Sequence, residues 1–249
     1  MKAAITKLLK KVIPHHLRPK QLILSFLRAF RGDTIYDGLF RDVIYGCEAF
    51  YSVTLPKYLG VYEVEIYPVL ESFLHQNFDC YVDIGAAEGY YAVGLASRLP
   101  TTINVIAFET EESARDLLIK NLELNHLRSR VEVLGNCSKE DIIRLTEKFH
   151  RLCLIVDVEG YEAELLSVQG LENVTMLVEI HDTRDFILNT FNETHRITFI
   201  SQKARTIDSF KRFHQKWLGI LGKIPIPFLD EGRPVEMDNA WAVLIPQHF

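Results

Sequence analysis

The sequence predicts a doubly wound α/β domain on a mostly parallel sheet, and three observations carry that expectation. From Asp79 onward, short β-rich runs recur at roughly 20–25 residues with helical stretches between them, the rhythm of βαβ units. LCLIVDV and TMLVEI are nearly continuous apolar runs, as strands covered on both faces must be. Several runs end in glycine or an ionisable residue, the composition of a ligand-binding edge in an open parallel sheet.

The elements follow in order. CYVDIG (80–85) is a strand ending in glycine, and GYYAVGLASRL (89–99) is a helix stopped by Pro100. NVIAFE (104–109) is a second strand, SARDLLIKNLELN (113–125) an amphipathic helix and VEVLGN (131–136) a third strand. KEDIIRLTEKF (139–149) is helical, LCLIVDVEG (152–160) a fourth strand, YEAELLSVQG a short helix ended by Gly170, and TMLVEIHD (175–182) a fifth strand. HRITFISQKART (195–206) fits a sixth strand and IDSFKRFHQKWLGILG (207–222) a helix. KIPIPFLDEGRP (223–234) is a proline-rich loop, and NAWAVLIP (239–246) a closing strand. Right-handed crossovers leave the doubly wound sheet as the main topology. Residues 32–78, rich in Tyr and Phe, precede the first core strand and are expected as helices over the sheet's rim. The organisation expected is one unit: a helical N-terminal extension at 1–78 before a domain at 79–249.

Composition bounds the function. With 48% hydrophobic and 24% charged residues over 249 positions, the chain is no disordered or low-complexity protein and can bury a core without staples. Cys47, Cys80, Cys137 and Cys153 stand singly, with no C-x-x-C pair. They read as buried thiols of a reducing, cytoplasmic compartment, not as a disulfide framework or zinc site. A net charge of −5 argues against nucleic acid as the main partner.

The charge is unevenly placed. Residues 1–31 hold eight Lys or Arg and no acid, which leaves 20 basic against 33 acidic residues, a net −13, for the rest. Apolar positions there recur at helical spacing, and Pro14 and Pro19 divide them into two short amphipathic helices. No run of 18 apolar residues spans a membrane, and the opening lacks a signal-peptide pattern. A basic amphipathic arm packs as a helical cap or lies peripherally on the inner membrane surface.

The strand ends carry the chemistry. The first ends in D-I-G-A-A-E-G: Asp83 closes the strand, Gly85 and Ala86 make a tight turn, and Gly89 starts the helix. The G-x-x-x-G spacing is not the G-x-G-x-x-G of a pyrophosphate loop, and no Gly-Lys-Ser/Thr follows any strand. Glu109 ends the second strand, where an acid can accept both hydroxyls of a ribose. Gly135, Asn136 and Cys137 end the third, at a place to touch an adenine ring. Asp157 and Glu159 end the fourth strand, Glu179 and His181 the fifth. Strand alternation puts each pair on one face. Four ionisable groups at the ends of buried strands are costly unless paired, catalytic or metal-bound. A histidine among carboxylates suits proton abstraction near neutral pH, and the same four residues could hold a divalent cation. His15, His16, His75, His126 and His150 read as surface or capping residues. No G-x-S-x-G elbow points to a covalent hydrolase.

Taken together, VDIGAAEGYYAVGLA, IAFE, NLELN, LIVDVEGYEAELL and LVEIH resemble an S-adenosylmethionine-dependent methyltransferase of the FkbM type over roughly residues 79–182. The resemblance implies a seven-stranded class I methyltransferase sheet with NAWAVLIP as an antiparallel last strand. It also implies methyl transfer to a hydroxyl, often of a sugar, glycan or natural product. By motif position, Asp83, Gly85, Ala86 and Gly89 would cradle the methionine part, Glu109 would hold the ribose, and Asn136 would face the adenine. Asp157 would lie near the methionine amino group or the acceptor. Ala87 stands where the wider superfamily has glycine. His181, oriented by Glu179 or Glu159, is the candidate base, with Asp157 next. Acceptor selection falls to residues 32–78 and 183–238, where Tyr36, Tyr45, Tyr51, Trp217 and Arg233 could line a sugar-sized pocket. Two alternatives stay open: an NAD(P)-dependent reductase, disfavoured by the absent G-x-G-x-x-G, and a non-catalytic methyltransferase-like module.

Overall fold

Among the described residues, seven strands form one sheet in the order β3-β2-β1-β4-β5-β7-β6: β1 (Cys80–Ile84), β2 (Asn104–Phe108), β3 (Val131–Leu134), β4 (Leu152–Val156), β5 (Thr175–Glu179), β6 (His195–Ile200) and β7 (Trp241–Pro246). The computed structural model describes residues 19–202 and 240–247. The expected first basic helix, the helix at 207–222, the loop at 223–234, Trp217 and Arg233 lie outside them. Strands β1 to β5 pair in parallel, whereas β7 runs antiparallel to both β5 and β6. This is the expected seven-stranded, mostly parallel sheet, with the antiparallel strand where NAWAVLIP was expected.

The order explains the burial. Strand β1 lies between β2 and β4, and every residue of β1, β4 and β5 is buried. Alternation along β1 sends Tyr81 to one apolar layer and Cys80, Val82 and Ile84 to the other. The first layer joins Ile35, Phe40, Ile66, Leu70 and Phe73, which precede the sheet, to Tyr90, Leu95, Leu118 and Trp241. The second is built from Ile142, Leu145, Leu165, Leu171 and Ile187 against the opposite faces of the strands. All four cysteines are buried and unpaired.

The helices among the described residues are α1 (Pro19–Arg31), α2 (Thr54–Leu59), α3 (Tyr67–Leu74), α4 (Tyr90–Arg98), α5 (Glu112–Leu124), α6 (Lys139–Lys148), α7 (Glu162–Leu165) and α8 (Arg184–Phe191). Pro19 opens α1, the position at which its missing N–H costs nothing. Residues 32–78 contribute only α2 and α3 between irregular segments. Helix α4 ends at Arg98 because Leu99, before Pro100, is held extended at ψ 146°. Ser138 and Asp141 form a capping box on α6, each side chain bonding the other's backbone N–H. The run after Glu159 yields a single turn, α7, shorter than the sequence suggests. No helix of the described residues is long and apolar enough to cross a membrane.

Candidate active site

The carboxyl ends of β1, β2, β4 and β5 open onto a cavity of about 810 Å³. Gly85, Ala86, Ala87, Glu109, Asn136, Asp157, Glu159, Glu179 and His181 all line it. Asp83 and Gly89 do not. Asp83 is 3% exposed and sits beneath the turn, while Gly89, in the left-handed region at φ +87°, caps α4. Of the aromatic residues expected at an acceptor pocket, Tyr51 lines the cavity, whereas Tyr36 and Tyr45 do not.

The turn after β1 is shaped by contact with β4. Gly85 has φ +87°, and a Cβ there would stand 1.7 Å from the Asp157 carbonyl oxygen, so only glycine fits. Ala87 is also left-handed, at φ +47°, the physical reason that glycine suits this position. Its amide N–H donates to Glu109 Oε2 at 2.7 Å. Glu109, 4% exposed, takes a second bond from the Glu111 N–H to Oε1 at 2.8 Å. Each oxygen keeps a further lone pair, so the carboxylate can brace the turn and still accept two hydroxyls.

Below the turn, burial pushes the Asp83 carboxyl up to about 7, with Asp157 and Glu109 adding repulsion and the Ala92 amide opposing it. Burial likewise pushes the Cys137 thiol, at the end of β3, up to about 12. That thiol is no nucleophile at neutral pH.

Histidine 181 is held differently from the sequence expectation. Glu179 and Glu159 were the expected orienting partners, yet the close contact is Glu162, whose Oε1 lies 2.8 Å from His181 Nδ1. Glu159 and Glu179 stand on the other side, 3.5 and 3.8 Å from Nε2. The reason is backbone geometry: β4 ends at Val156, so strand alternation stops before Glu159. Glu159 and Gly160 then turn in the left-handed region at φ +51° and +99°. That turn brings Glu162 back, where its Oε1 also accepts the Val158 and Gly160 N–H groups. Burial works to raise the Glu162 carboxyl, but the His181 and backbone hydrogen bonds hold it below its ordinary value. The hydrogen bond to Glu162 raises the His181 pKa against burial, and the charges of Glu162, Asp157 and Glu159 raise it further.

Glu162 was invisible in the sequence because its place depends on that turn. Lys57 and Glu88 were missed as well. Lys57, on α2, lines the cavity and pairs with Glu88 at 2.5 Å, with both side chains buried. Glu88 also receives the Tyr45 hydroxyl at 2.5 Å and the Phe50 N–H at 3.0 Å. The Lys57 ammonium lies over the rings of Tyr62 and Tyr90, 4.7 and 5.4 Å from their centroids. A charged residue inside D-I-G-A-A-E-G was the one available signal for this pair. Tyr62, Tyr90, Tyr91 and Tyr161 complete an aromatic lining that the sequence did not point to.

One ligand atom each from Asp157, Glu159 and His181 can lie within 4.8 Å of the others, close enough to share a cation.

No family model matches the chain, and no curated protein does. Solved structures similar in fold include the O-methyltransferase from Bacillus cereus in complex with S-adenosylhomocysteine, 18% identical with a TM-score of 0.41, covering 80% of this chain and 91% of that one. The precorrin-6y C5,15-methyltransferase from Geobacter metallireducens GS-15 is 13% identical, with a TM-score of 0.44 over 73% of this chain and 86% of that one. The O-methyltransferase TomG from Streptomyces achromogenes, in complex with S-adenosylmethionine, is 14% identical, with a TM-score of 0.36 over 62% and 67%. At such identities and scores each likeness stops at the general course of the chain, and the site must be read from its own residues.

Proposed function

We propose that the protein is an S-adenosylmethionine-dependent methyltransferase acting on a hydroxyl oxygen of a sugar-like or natural-product acceptor. The observation that supports this most is the single cavity joining the Glu109 carboxylate at the tip of β2 to the His181–Glu162 pair beyond β5 and β4. The residues present fit the cofactor: the glycine-tight turn presents backbone, and Glu109 keeps acceptor capacity for two ribose hydroxyls. Gly85, Ala86 and Ala87 would hold the methionine part, Glu109 the ribose, and Asn136 and Cys137 the base. When bound, S-adenosylmethionine supplies a methyl group on a sulfonium, so no protein nucleophile is required.

The chain's own work is to position the acceptor and take its proton. The ionised Glu162 can only accept, so His181 donates from Nδ1 and its Nε2 carries the lone pair. Nε2 takes the hydroxyl proton, and the imidazolium formed is stabilised by Glu162, Glu159 and Glu179. Tyr51, Tyr62, Tyr90, Tyr91 and Tyr161 offer apolar faces to a sugar ring, while Asp157, Glu159 and Glu179 can accept its other hydroxyls.

A divalent cation on Asp157, Glu159 and His181 is the rival means of deprotonation, since their ligand atoms can come together. Calorimetry with S-adenosylmethionine, S-adenosylhomocysteine and NAD, followed by label transfer to a panel of glycosides with and without chelator, tests both. Methyl transfer that survives chelator supports the base, and transfer that needs added cation supports the metal. Binding of NAD without S-adenosylmethionine would sink the methyltransferase reading.

A further inference from the structure

Helix α1 has two apolar sides. Leu24 and Leu27 are buried against Leu55, Tyr58, Leu59 and Val61 around α2. On the outside, Leu22, Phe26 and Phe30 recur every four residues and are 51%, 43% and 61% exposed. That spacing aligns them in one stripe, and the Phe26 and Phe30 rings stand 4.7 Å apart. An exposed stripe of large apolar side chains beside cationic sequence marks a docking face.

The charge says what it docks on. All eight cations of residues 1–31 are without a neighbouring acid in that segment, while the remainder of the chain is net −13. Arg28 and Arg31 turn toward the body: Arg28 pairs with Asp33 at 2.8 Å and donates to the Cys47 carbonyl at 3.1 Å, and Arg31 donates to the Tyr36 carbonyl at 3.3 Å. Lys2, Lys7, Lys10, Lys11 and Arg18 precede the helix in sequence.

We propose that the Leu22–Phe26–Phe30 face of α1 docks the protein on an anionic phospholipid bilayer, the surface chemistry that the all-basic charge of the sequence 1–31 favours. Leucine and phenylalanine side chains suit shallow insertion at the headgroup–acyl boundary, and lysines suit the phosphates above it. The net −13 of the remaining chain is repelled by the same surface, which confines contact to this end. A second copy of the chain could answer the charge, but three side chains supply a small part of the roughly 1,200–2,000 Å² that a stable protein interface buries. Through α2, which packs on α1 and presents Lys57 to the cavity, one helix links the docking face to the site.

The test is sedimentation of the full chain with phosphatidylcholine vesicles, with and without phosphatidylglycerol, at low and high salt. Binding to the anionic vesicles should be at least about tenfold tighter than to neutral ones and should fall by a similar factor at high salt. Combining Leu22→Ser, Phe26→Ser and Phe30→Ser should weaken anionic binding about tenfold or more while leaving the melting curve in place, because these side chains are exposed. A parent protein that stays in the supernatant with anionic vesicles at low salt overturns the proposal. So does a triple variant that binds like the parent. Concentration-dependent dimerisation that the triple variant abolishes, without vesicle binding, assigns the face to a second copy instead.

Discussion

The imidazole of His181 is anchored through Nδ1 to Glu162 at 2.8 Å, a carboxylate with none of its side chain exposed. The pairing fixes the tautomer and points the basic nitrogen away from its anchor. Replacing His181 with Ala should lower turnover by about 10²–10⁴-fold, the usual worth of a positioned base, with S-adenosylmethionine affinity by calorimetry unchanged. If the variant methylates an acceptor at the parent rate, the base lies elsewhere, with Asp157 next.

The pH profile should carry the same signature. As the proposed base, His181 must be neutral, and Glu162 raises its pKa, so the rate should climb with pH through a value above the ordinary 6.5. Glu162→Gln removes the largest cause of that rise. The climb should move to lower pH while the plateau falls, and single-turnover rates across a pH series would measure both. A profile that moves upward instead would contradict the arrangement.

Glu109 braces the turn and, under the proposed function, would also hold the ribose. Glu109→Ala should weaken S-adenosylmethionine binding by roughly 1–3 kcal/mol, the cost of losing hydrogen bonds to a charged acceptor. It should also lower the melting temperature of the free protein, because the Ala87 and Glu111 N–H groups lose their acceptor. Unchanged cofactor affinity in a variant with a lowered melting point would leave Glu109 as a brace alone.

Lys57 and Glu88 are a buried pair, 5% and 0% exposed. Lys57→Met should cost about 3–5 kcal/mol in denaturant unfolding, because it strands a buried carboxylate, and adding Glu88→Leu should recover much of it. Burial works to raise the Glu88 carboxyl, but Lys57, Tyr45 and the Phe50 N–H hold it below its ordinary 4.5. A lowered folded-state pKa means stability that is present above 4.5 and lost as pH falls through the folded value. The cost of Lys57→Met should therefore shrink as pH falls toward the acid range, because the stranded Glu88 carboxyl can take up a proton while the parent loses its ion pair.

Asp83 has the opposite sign. Its folded pKa of about 7 lies above the ordinary 3.8, so the folded state keeps a proton that the unfolded chain releases. Its contribution is fully present below 3.8 and is lost as pH rises through about 7. The difference of roughly three units sets an upper bound of about 4 kcal/mol. Melting curves at pH 5 and pH 8 should show Asp83→Asn gaining on the parent as pH rises. An equal difference at both would mean that Asp83 titrates normally.

The sheet was legible because periodicity is a local property. CYVDI, LCLIV and TMLVE announce buried strands by their own composition, and each is a fully buried strand in the structure. The strand tips were legible for the same reason, and Glu109, Asp157, Glu179 and His181 share one cavity. What failed was extrapolation past a strand end. Alternation placed Glu159 beside Asp157, but a left-handed turn supplied Glu162 to the histidine instead. The Lys57–Glu88 pair joins positions 31 residues apart, and no periodicity reports a contact made across a helix and a turn. Asp83 shows the converse: the motif was visible, but its depth beneath the turn was not.

Among the described residues, strand β6 has one neighbour in the sheet, and that neighbour, β7, comes later in the chain. A nascent chain emerging from the ribosome can therefore assemble β3-β2-β1-β4-β5 while β6 has nowhere to dock. Until Trp241–Pro246 is made, the outer rim of β5, carrying Met176 to Glu179, offers unsatisfied amides and carbonyls to any extended segment nearby. A stop codon ahead of Trp241 would not merely shorten the protein by one strand, for it would strip two from the sheet and leave a sticky border beside the cavity.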